Sequence, residues 1–477
     1  MNNQVNLVSQ KQKVRHQQGF ASLLFVLLIG LSLVIIVLGV FITLRGLQDS
    51  AITSHAQTQA EERSTIGVKA LSNFLYSKTD TQISSITGGT ITDKNGTLTG
   101  TANSTVATYA KSATCPTGAV TQYCFDVTAS SGGASATIRT VYQKATTLSS
   151  TTLTGSVFAG GLVTAGSAKF TGNTSTNPIT LSVGGTYSGQ VCANIGCTQF
   201  VDNSSLLANG LQIVAYTPTT FITADDLKPY SNYQFTASGA TCNKLNLYSG
   251  TTAVSTPTSI SCSSFSGISY NSSSASWTID PSKTLPVGVL WFDTDVVINL
   301  KSGSTLVNTI ISKGSVSVTS PNSGTINNYA PYYYYSTTNA DHLTRVCGTT
   351  AAANIPTQYC NSDGSFNTGF ATFPGNIANI LFLTNNQLSL DAANNAVLNY
   401  YGNIIASYGA GGTGSASGKF TGTGTINITG NLVIAGTTNT TQMTGNISID
   451  LSNSTAASSS VIPSYTYANG LRFIKYM

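Results

Sequence analysis

Charged residues are scarce in this chain of 477 residues, where Asp, Glu, Lys and Arg together make up 8%. Residues 80–477 carry 14 Lys and Arg against 13 Asp and Glu, so the net charge of +5 comes mostly from the N-terminal region. Such low charge argues against a disordered acidic or basic tail. No basic patch for DNA is evident in the sequence, and DNA uptake through a few local residues stays open as an alternative.

An uncharged, predominantly apolar run of 25 residues extends from Phe20 to Leu44 and follows the basic residues Lys11, Lys13 and Arg15. A cleavable secretory signal has an apolar stretch of about 7–15 residues, whereas this run is long enough to cross a bilayer as a helix. The positive-inside rule keeps the N-terminus in the cytoplasm. The run therefore predicts a single-pass membrane segment with the rest of the chain outside.

Gly19-Phe20 stands at the cytoplasmic edge of this run, and apolar residues continue beyond it at helical spacing. They are Ile52, Ala56, Ala60, Val68, Leu71, Phe74 and Leu75. With the basic leader, this layout resembles the class III signal of type IV pilins and pseudopilins. The stretch RGLQDSAITSHAQTQAEERSTIGVKAL resembles the PilX-like minor pilins, and the whole resemblance covers residues 15–78.

The resemblance implies that a prepilin peptidase cuts after Gly19 and methylates the new N-terminus at Phe20. Residues 1–19 would be the leader, and residues 20–78 the pilin helix with its transmembrane half at 20–44. It further implies that the subunit is held in the inner membrane before assembly. The subunit then assembles with other minor pilins and the major pilin into an extracellular pilus.

Leu24 is the fifth residue after the implied cleavage point, where major pilins carry a glutamate that neutralises the terminal amine of a neighbouring subunit. An unpaired carboxylate within hydrocarbon costs about 2.5–3.5 kcal/mol. A subunit with no neighbour ahead of it has no amine to pair, so Leu24 predicts a place at or near the filament tip. The alternative is that Leu24 belongs to a plain membrane anchor.

After about Lys78 the helical period ends, and short β-prone runs alternate with Gly, Asn and Ser turns. Gly-Asn-aliphatic triplets recur at 375–377, 402–404, 430–432 and 445–447. This pattern of short strands, turns and repeated triplets predicts an α+β chain. Its main part, residues 151–465, is predicted to be a parallel β-helix, with a β-sandwich as the alternative. A smaller β-rich, pilin-like subdomain at 79–150 and a C-terminal tail at 466–477 complete the predicted organisation.

Eight cysteines fall in four close pairs, none with CxxC spacing: Cys115/Cys124, Cys192/Cys197, Cys242/Cys262 and Cys347/Cys360. That spacing, and a single histidine beyond residue 78, argue against zinc. Eight cysteines permit 105 pairings and the sequence alone does not choose among them. Sequential pairing would give four structural disulfides, which the predicted oxidising compartment allows.

Parallel β-helices include enzymes that cleave polysaccharides with grouped carboxylates, often with calcium or a basic residue. The pairs Asp293/Asp295 and Asp225/Asp226 are notable in a chain with few acids, but neither has a clear basic partner nearby in sequence. No nucleophile elbow accompanies His342. We expect no enzyme activity and no cofactor. A membrane-anchored polysaccharide enzyme is the alternative, and calcium binding stays open.

The stretch NYAPYYYYSTTNADH, residues 328–342, is the candidate binding surface. Tyrosine rings offer broad amphipathic faces that suit sugars or protein surfaces. The tyrosines concerned are Tyr329, Tyr332, Tyr333, Tyr334 and Tyr335. In a strand alternate rings would face inward, so part of the cluster is expected in the core.

The features together predict a minor pilin at or near the type IV pilus tip. It would prime or cap filament assembly and present its β-rich head to a host-cell, surface or glycan receptor. A type II secretion pseudopilin is the alternative within the same class.

Overall fold

The structure is a computed structural model, and it describes residues 5–78, 80–112, 115, 122–193, 196–199, 203–208, 210–217, 219–237, 241–337, 342–348, 354–408, 416–452 and 459–476. The chain divides into two compact units. The anchor unit contains residues 1–115, 122–144 and 469–477, and the head contains residues 116–121 and 145–468.

The anchor unit combines two helices with a five-stranded sheet. Its elements are α1 (Val5–Tyr76), α2 (Asp80–Ser85), β1 (Gly88–Asp93), β2 (Ser104–Lys111), β3 (Gln122–Ser131), β4 (Ala134–Thr152) and the last strand of the chain, β34 (Val461–Tyr476). The strand order is β1-β2-β3-β4-β34, and the pairs from β1 to β4 are antiparallel. The first and last parts of the chain thus complete one sheet.

One stripe of α1 packs on this sheet. The buried residues recur every three or four positions, as the helical period requires, and are Ala56, Ala60, Ser64, Val68, Leu71 and Leu75. Gly67 marks the closest approach, because a Cβ there would lie 2.8 Å from Ala107 Cβ and 2.9 Å from Val127 Cγ1. Ile52 and Phe74, which the sequence placed in the stripe, are exposed.

The head is built almost entirely of short strands. In chain order they are β5 (Gly155–Phe158), β6 (Gly161–Gly166), β7 (Lys169–Thr171), β8 (Ile179–Val183), β9 (Thr186–Ser188), β10 (Gln190–Ala193), β11 (Gly196–Gln199), β12 (Leu211–Ala215), β13 (Tyr233–Thr236), β14 (Thr241–Lys244), β15 (Leu247–Ser249), β16 (Thr252–Val254), β17 (Thr258–Ile260) and β18 (Ile268–Asn271). There follow β19 (Ser276–Ile279), β20 (Gly288–Phe292), β21 (Asp295–Asn299), β22 (Thr305–Ser312), β23 (Val316–Thr319), β24 (Ser323–Tyr329), β25 (Ile355–Pro356), β26 (Ile380–Thr384), β27 (Gln387–Ala392), β28 (Asn395–Tyr401), β29 (Asn403–Ala406), β30 (Ser417–Gly422), β31 (Thr425–Thr429), β32 (Leu432–Ile434) and β33 (Thr441–Asp450). Short helices are α3 (Asn203–Ala208), α4 (Ala224–Leu227), α5 (Pro331–Tyr335) and α6 (His342–Val346).

Most of these strands form three parallel sheets. Sheet 1 runs β13-β20-β22-β26-β29-β32-β5-β8-β12. Sheet 2 runs β19-β21-β23-β27-β30-β33-β6-β9, and sheet 3 runs β22-β24-β28-β31-β33-β7-β10. The chain visits sheets 1, 2 and 3 in turn and then returns to sheet 1 one place further along. These sheets are thus parallel, unlike the antiparallel sheets of a β-sandwich. We call one passage of the chain through the three sheets a coil, and the parallel β-helix stays a prediction.

The long N-terminal helix and the β-rich head confirm the predicted α+β class. The predicted boundaries differ from the units observed. The boundary at 150/151 falls within β4, and the predicted tail at 466–477 begins within β34. The tail is a strand because its β-prone side chains extend the sheet of the anchor unit, where Leu471 is buried.

The coils of the head do not stack in chain order. Strands β5, β8 and β12 occupy one end of sheet 1, while the next strand, β13, begins the other end. Residues 216–232, which we call the return segment, connect these two ends. The chain then winds back until β32 pairs with β5 and β33 pairs with β6. We call this junction the seam.

The middle of sheet 1 is buried on both faces, whereas sheets 2 and 3 have a solvated outer face. Strands β20 and β26 are buried at every position, but β21 and β31 alternate. The outer cover of sheet 1 comes from described residues of the return segment and of residues 330–379, the long excursion between β24 and β26. Continuous apolar runs in sheet 1 follow from this double burial.

A buried asparagine pair fixes the corner between sheets 3 and 1. Asn403 Nδ2 donates to the Asn379 carbonyl at 3.0 Å and to the Ser459 carbonyl at 2.7 Å. Asn403 Oδ1 accepts from Asn431 Nδ2 at 3.0 Å. These bonds give a buried amide the partners it needs and bind neighbouring coils together.

Two of the four Gly-Asn triplets are structural equivalents. Gly402 and Gly430 precede Asn403 and Asn431 with φ of +142° and +135°, and a Cβ on Gly430 would lie 2.5 Å from Gly402 O. The triplet at 375–377 instead lies in a 3-10 helix, Gly375–Asn379. The triplet at 445–447 lies within β33, between its pairings with β6 and β7.

Candidate functional site

The N-terminal part of α1 presents an apolar surface without protein partners. Among the described residues from 22 to 55 every side chain is exposed, including Leu23, Phe25 and Phe41 at 65%, 66% and 69%. Solvent exposure of a continuous apolar helix in water is unfavourable, by about 25 cal/mol per Å². By length and composition α1 is the one helix of the described chain that is able to cross a membrane.

The implied processing site lies within this helix. Gly19 and Phe20 belong to α1, but their side chains are outside the described residues. Leu24 is 55% exposed on the same apolar surface. Cleavage and methylation at Gly19-Phe20, and the meaning of Leu24, therefore stay predictions.

The tyrosine cluster is a packed helical turn, which corrects the expectation of a strand. Pro331 begins α5, and the Tyr334 amide donates to the Ala330 carbonyl at 3.1 Å. Proline suits the first helical position because its fixed φ is helical and its missing N–H would have no partner there. Tyr333 and Tyr334 are buried, so they cannot serve as contact surface.

The remaining rings of the cluster pack on other aromatic residues of the head. Tyr332 stacks on Phe370 with centroids 4.3 Å apart, and Tyr335 stacks on Phe366 at 4.2 Å. Tyr329 stacks on Tyr401 at 4.6 Å. All three are partly buried. Burial raises the pKa of Tyr333 to about 12. The cluster mainly fastens the 330–379 excursion to sheet 1, and its accessible area is small.

The acidic pair Asp293/Asp295 is divided between two neighbouring coils. Both carboxylate oxygens of Asp293 accept from the Ala237 amide, at 2.8 and 3.0 Å, on the β13 side. Asp295 accepts from the Ser315 amide at 2.6 Å, next to β23. Both carboxylates thus accept hydrogen bonds from backbone amides. The pair stabilises turns and does not form a carboxylate dyad.

Asp226 and Asp225 also have structural partners. Asp226 completes a capping box with Thr223 at the start of α4 and accepts from the Tyr465 hydroxyl. Asp225 forms a half-exposed ion pair with Lys313 at 3.4 Å. Among the described residues no group of three or more His, Cys, Asp or Glu side chains is arranged to hold a metal ion. The side chain of His342 lies outside them.

Three of the cysteine pairs are disulfides in the structure: Cys115–Cys124, Cys242–Cys262 and Cys347–Cys360. They close short loops, with sequence separations of 9, 20 and 13 between the paired cysteines. Cys192 and Cys197 face each other in the β10–β11 hairpin register, but their side chains are outside the described residues. Their bond stays a prediction.

A cavity of about 220 Å³ lies at the outer face of sheet 1, and it was not predicted from the sequence. Three segments distant in sequence form it: residues 151–157, the return segment at 219–221, and residues 462–464 of β34. Thr180 and Ser182 of β8 complete the lining. The sequence signal available was the density of Thr and Ser near residue 150, which is too common in this chain to single out a site.

No family model matches the chain, and no curated protein does. Among solved structures, it is similar to the competence-associated pilin ComZ from Thermus thermophilus. The match has 12% sequence identity and a TM-score of 0.25, and it covers 88% of this chain and 97% of that chain. A superposition with this TM-score does not establish a common fold.

Proposed function

We propose that this chain is a minor pilin-like subunit, anchored in the inner membrane by α1 and then incorporated at or near the tip of a type IV filament. The observation that carries the proposal is the change along α1. Its first part is entirely exposed and apolar, while from Ala56 onward one stripe packs on a small antiparallel sheet. A helix of this kind needs lipid, or the helices of other subunits, to cover its first part.

The sequence around the helix supports processing by a prepilin peptidase. Basic residues precede Gly19-Phe20, and the apolar run follows directly. Other minor pilins and the major pilin would then supply the apolar helices that replace lipid around residues 22–44. The head would remain outside the helical core of the filament, free to contact a cell, a surface or a glycan. Disulfides in the head agree with an extracytoplasmic place.

The test is the N-terminus of the mature protein. The chain is expressed in cells with an active prepilin peptidase and in matched cells without one, and intact mass and N-terminal sequence are measured on membrane protein. We expect methylated Phe20 in the first cells and Met1 in the second.

Two substitutions sharpen this test. Gly19→Leu should block processing, because the prepilin peptidase is expected to recognise the glycine at the cleavage site. Gly30→Leu is the matched control, since a Cβ at Gly30 meets nothing within 4 Å. Retention of Met1 by the unaltered chain beside an active peptidase, or equal processing of both variants, would defeat the proposal.

A further inference from the structure

The cavity on sheet 1 exists because the outer cover is incomplete beside the seam. The outward positions of β5 and β8 pair as Gly155 with Thr180 and as Val157 with Ser182. Gly155 allows β5 to lie close to β8, and no side chain fits in its place, since a Cβ would lie 1.8 Å from Thr180 O. The return segment passes at Thr219 to Phe221 and forms the opposite wall.

The lining supplies hydroxyl groups that the protein does not use. Seven of them line the cavity, on Thr151, Thr152, Thr154, Thr180, Ser182, Thr220 and Ser464. In the described part of the chain none of these seven side chains makes a hydrogen bond to another protein group. Each hydroxyl can donate one hydrogen bond and accept two. Their donors and acceptors are therefore available to water or to a ligand.

Apolar surface and the lack of charge complete the chemistry of this cavity. Leu153, Val157, Phe221, Ile462 and Pro463 contribute carbon surface between the hydroxyls. No Asp, Glu, Lys, Arg or His lines the cavity. A charged ligand would lose its hydration here without gaining an opposite charge, so the site favours a neutral molecule.

The cavity is also small. Its volume of about 220 Å³ lies below the range of about 300–1,000 Å³ that is typical of sites for drug-sized ligands. The space equals that of about seven water molecules, at roughly 30 Å³ each. One sugar ring, with hydroxyls around its edge and C–H groups on its faces, matches both the size and the alternation of polar and apolar lining.

We propose that this cavity binds one neutral sugar residue, such as the terminal hexose of a glycan. Ligand hydroxyls exchange hydrogen bonds with Thr180, Ser182 and Thr220, and the C–H face lies against the apolar surface. The proposal goes beyond the filament role, because sugar binding by the head does not require that α1 enter a pilus.

The experiment uses the full chain in lauryldimethylamine oxide, a detergent without a sugar headgroup. Saturation-transfer NMR is recorded with glucose, galactose, mannose and N-acetylglucosamine, and with glucuronate and N-acetylneuraminate as charged counterparts. Affinities of the sugars that respond are then measured by titration. We expect at least one neutral sugar to bind and the charged ones to bind at least tenfold more weakly.

The variant Thr180→Val/Ser182→Val removes two hydroxyls from the cavity, and valine suits a strand position. We expect its affinity for the neutral sugar to fall at least tenfold. Ser389→Val is the matched control on the outer face of sheet 2, where Ser389 is likewise partly buried in its strand, and it should bind as the unaltered chain does. The proposal is overturned if no neutral sugar binds, if charged sugars bind equally well, or if the double variant retains full affinity. Processing at Gly19 is unaffected by any of these outcomes, so failure here is distinguishable from failure of the pilin proposal.

Discussion

The Leu432 amide donates a hydrogen bond of 3.0 Å to Ser156 Oγ, across 276 residues of sequence. This contact lies at the seam, where β32, late in the chain, pairs with β5, early in the chain. Ser156 is 1% exposed, so water does not replace it as an acceptor. The bond thus joins the two stretches of coil that would otherwise end in unpaired strands.

Ser156→Ala should weaken the seam. The Leu432 amide would remain buried without an acceptor, at a cost of about 1–3 kcal/mol. Urea unfolding followed by circular dichroism measures the change, with Ser389→Ala on the solvated face of sheet 2 as the control, expected within about 0.5 kcal/mol of the unaltered chain. Equal effects of the two substitutions would contradict the importance of the Ser156 bond.

The two asparagine positions Asn403 and Asn427 should differ in the same assay. Asn403→Ala deprives two backbone carbonyls and Asn431 of their partner in a fully buried corner, and we expect a loss of about 3 kcal/mol. Asn427 donates to Asn399 Oδ1 at 2.8 Å on the partly exposed face of sheet 3. Asn427→Ala should cost less than about 1 kcal/mol, since water can replace that bond. A larger loss at Asn427 would be incompatible with this account.

Alkaline pH should destabilise the head through buried tyrosines. Burial raises the pKa of Tyr233 to about 12, while an unfolded chain titrates near the ordinary value of 10.0. The folded state therefore holds its proton longer, and this contribution is complete below pH 10 and is lost as the pH rises from 10 to 12. Tyr233 alone accounts for about 2 kcal/mol over that interval.

Unfolding midpoints at pH 8, 10 and 11, with absorbance at 295 nm to follow tyrosine ionisation, test this expectation. Tyr233→Phe should flatten the pH dependence, whereas Tyr408→Phe, at a 51% exposed position, should leave it unchanged. An identical profile for Tyr233→Phe and the unaltered chain would rule out Tyr233 as the source.

The proposed tip position depends on Leu24. Within a shaft, Leu24 would leave the terminal amine of the subunit ahead unpaired among apolar helices, which is costly, whereas a tip subunit meets no such amine. We expect immunogold against the head to label sheared pili at one end, and deletion to reduce pilus number or adhesion. Regular labelling along the shaft would exclude the tip position, even for a correctly processed pilin.

Much of the anchor unit could be predicted from sequence because its signals are local. The apolar run and the helical spacing of Ala56, Ala60 and Val68 define α1, and both depend on near neighbours. In the head, alternation in segments such as Thr425–Thr429 predicts a strand with one solvated face, and that is its environment. The strands Gly288–Phe292 and Ile380–Thr384 do not alternate. Their side chains are mostly apolar at consecutive positions, which is typical of strands buried on both faces.

The order in which the coils of the head stack could not be predicted from the sequence. Pairing of Val433 with Val157 rests on a return segment whose path depends on contacts spread along sheet 1. The tyrosine cluster forms a helical turn and not a strand for a related reason. Pro331 favours the helical turn, and stacking on Phe366 and Phe370 outweighs the strand preference of tyrosine. The cavity is likewise formed by segments that are distant in sequence. No local sequence pattern therefore predicts that Thr180 and Ser182 line a binding site.

Residues 145–468 leave the five-stranded sheet along β4 and return to it along the neighbouring strand, β34. In effect, the head replaces what would otherwise be a turn of a hairpin. A gene encoding such a subunit can acquire, lose or exchange its entire head by recombination at two points, while the codons for the helix and its sheet remain intact. Under the proposed function, the binding preference of the head would then be able to change without any change in the helix and its sheet.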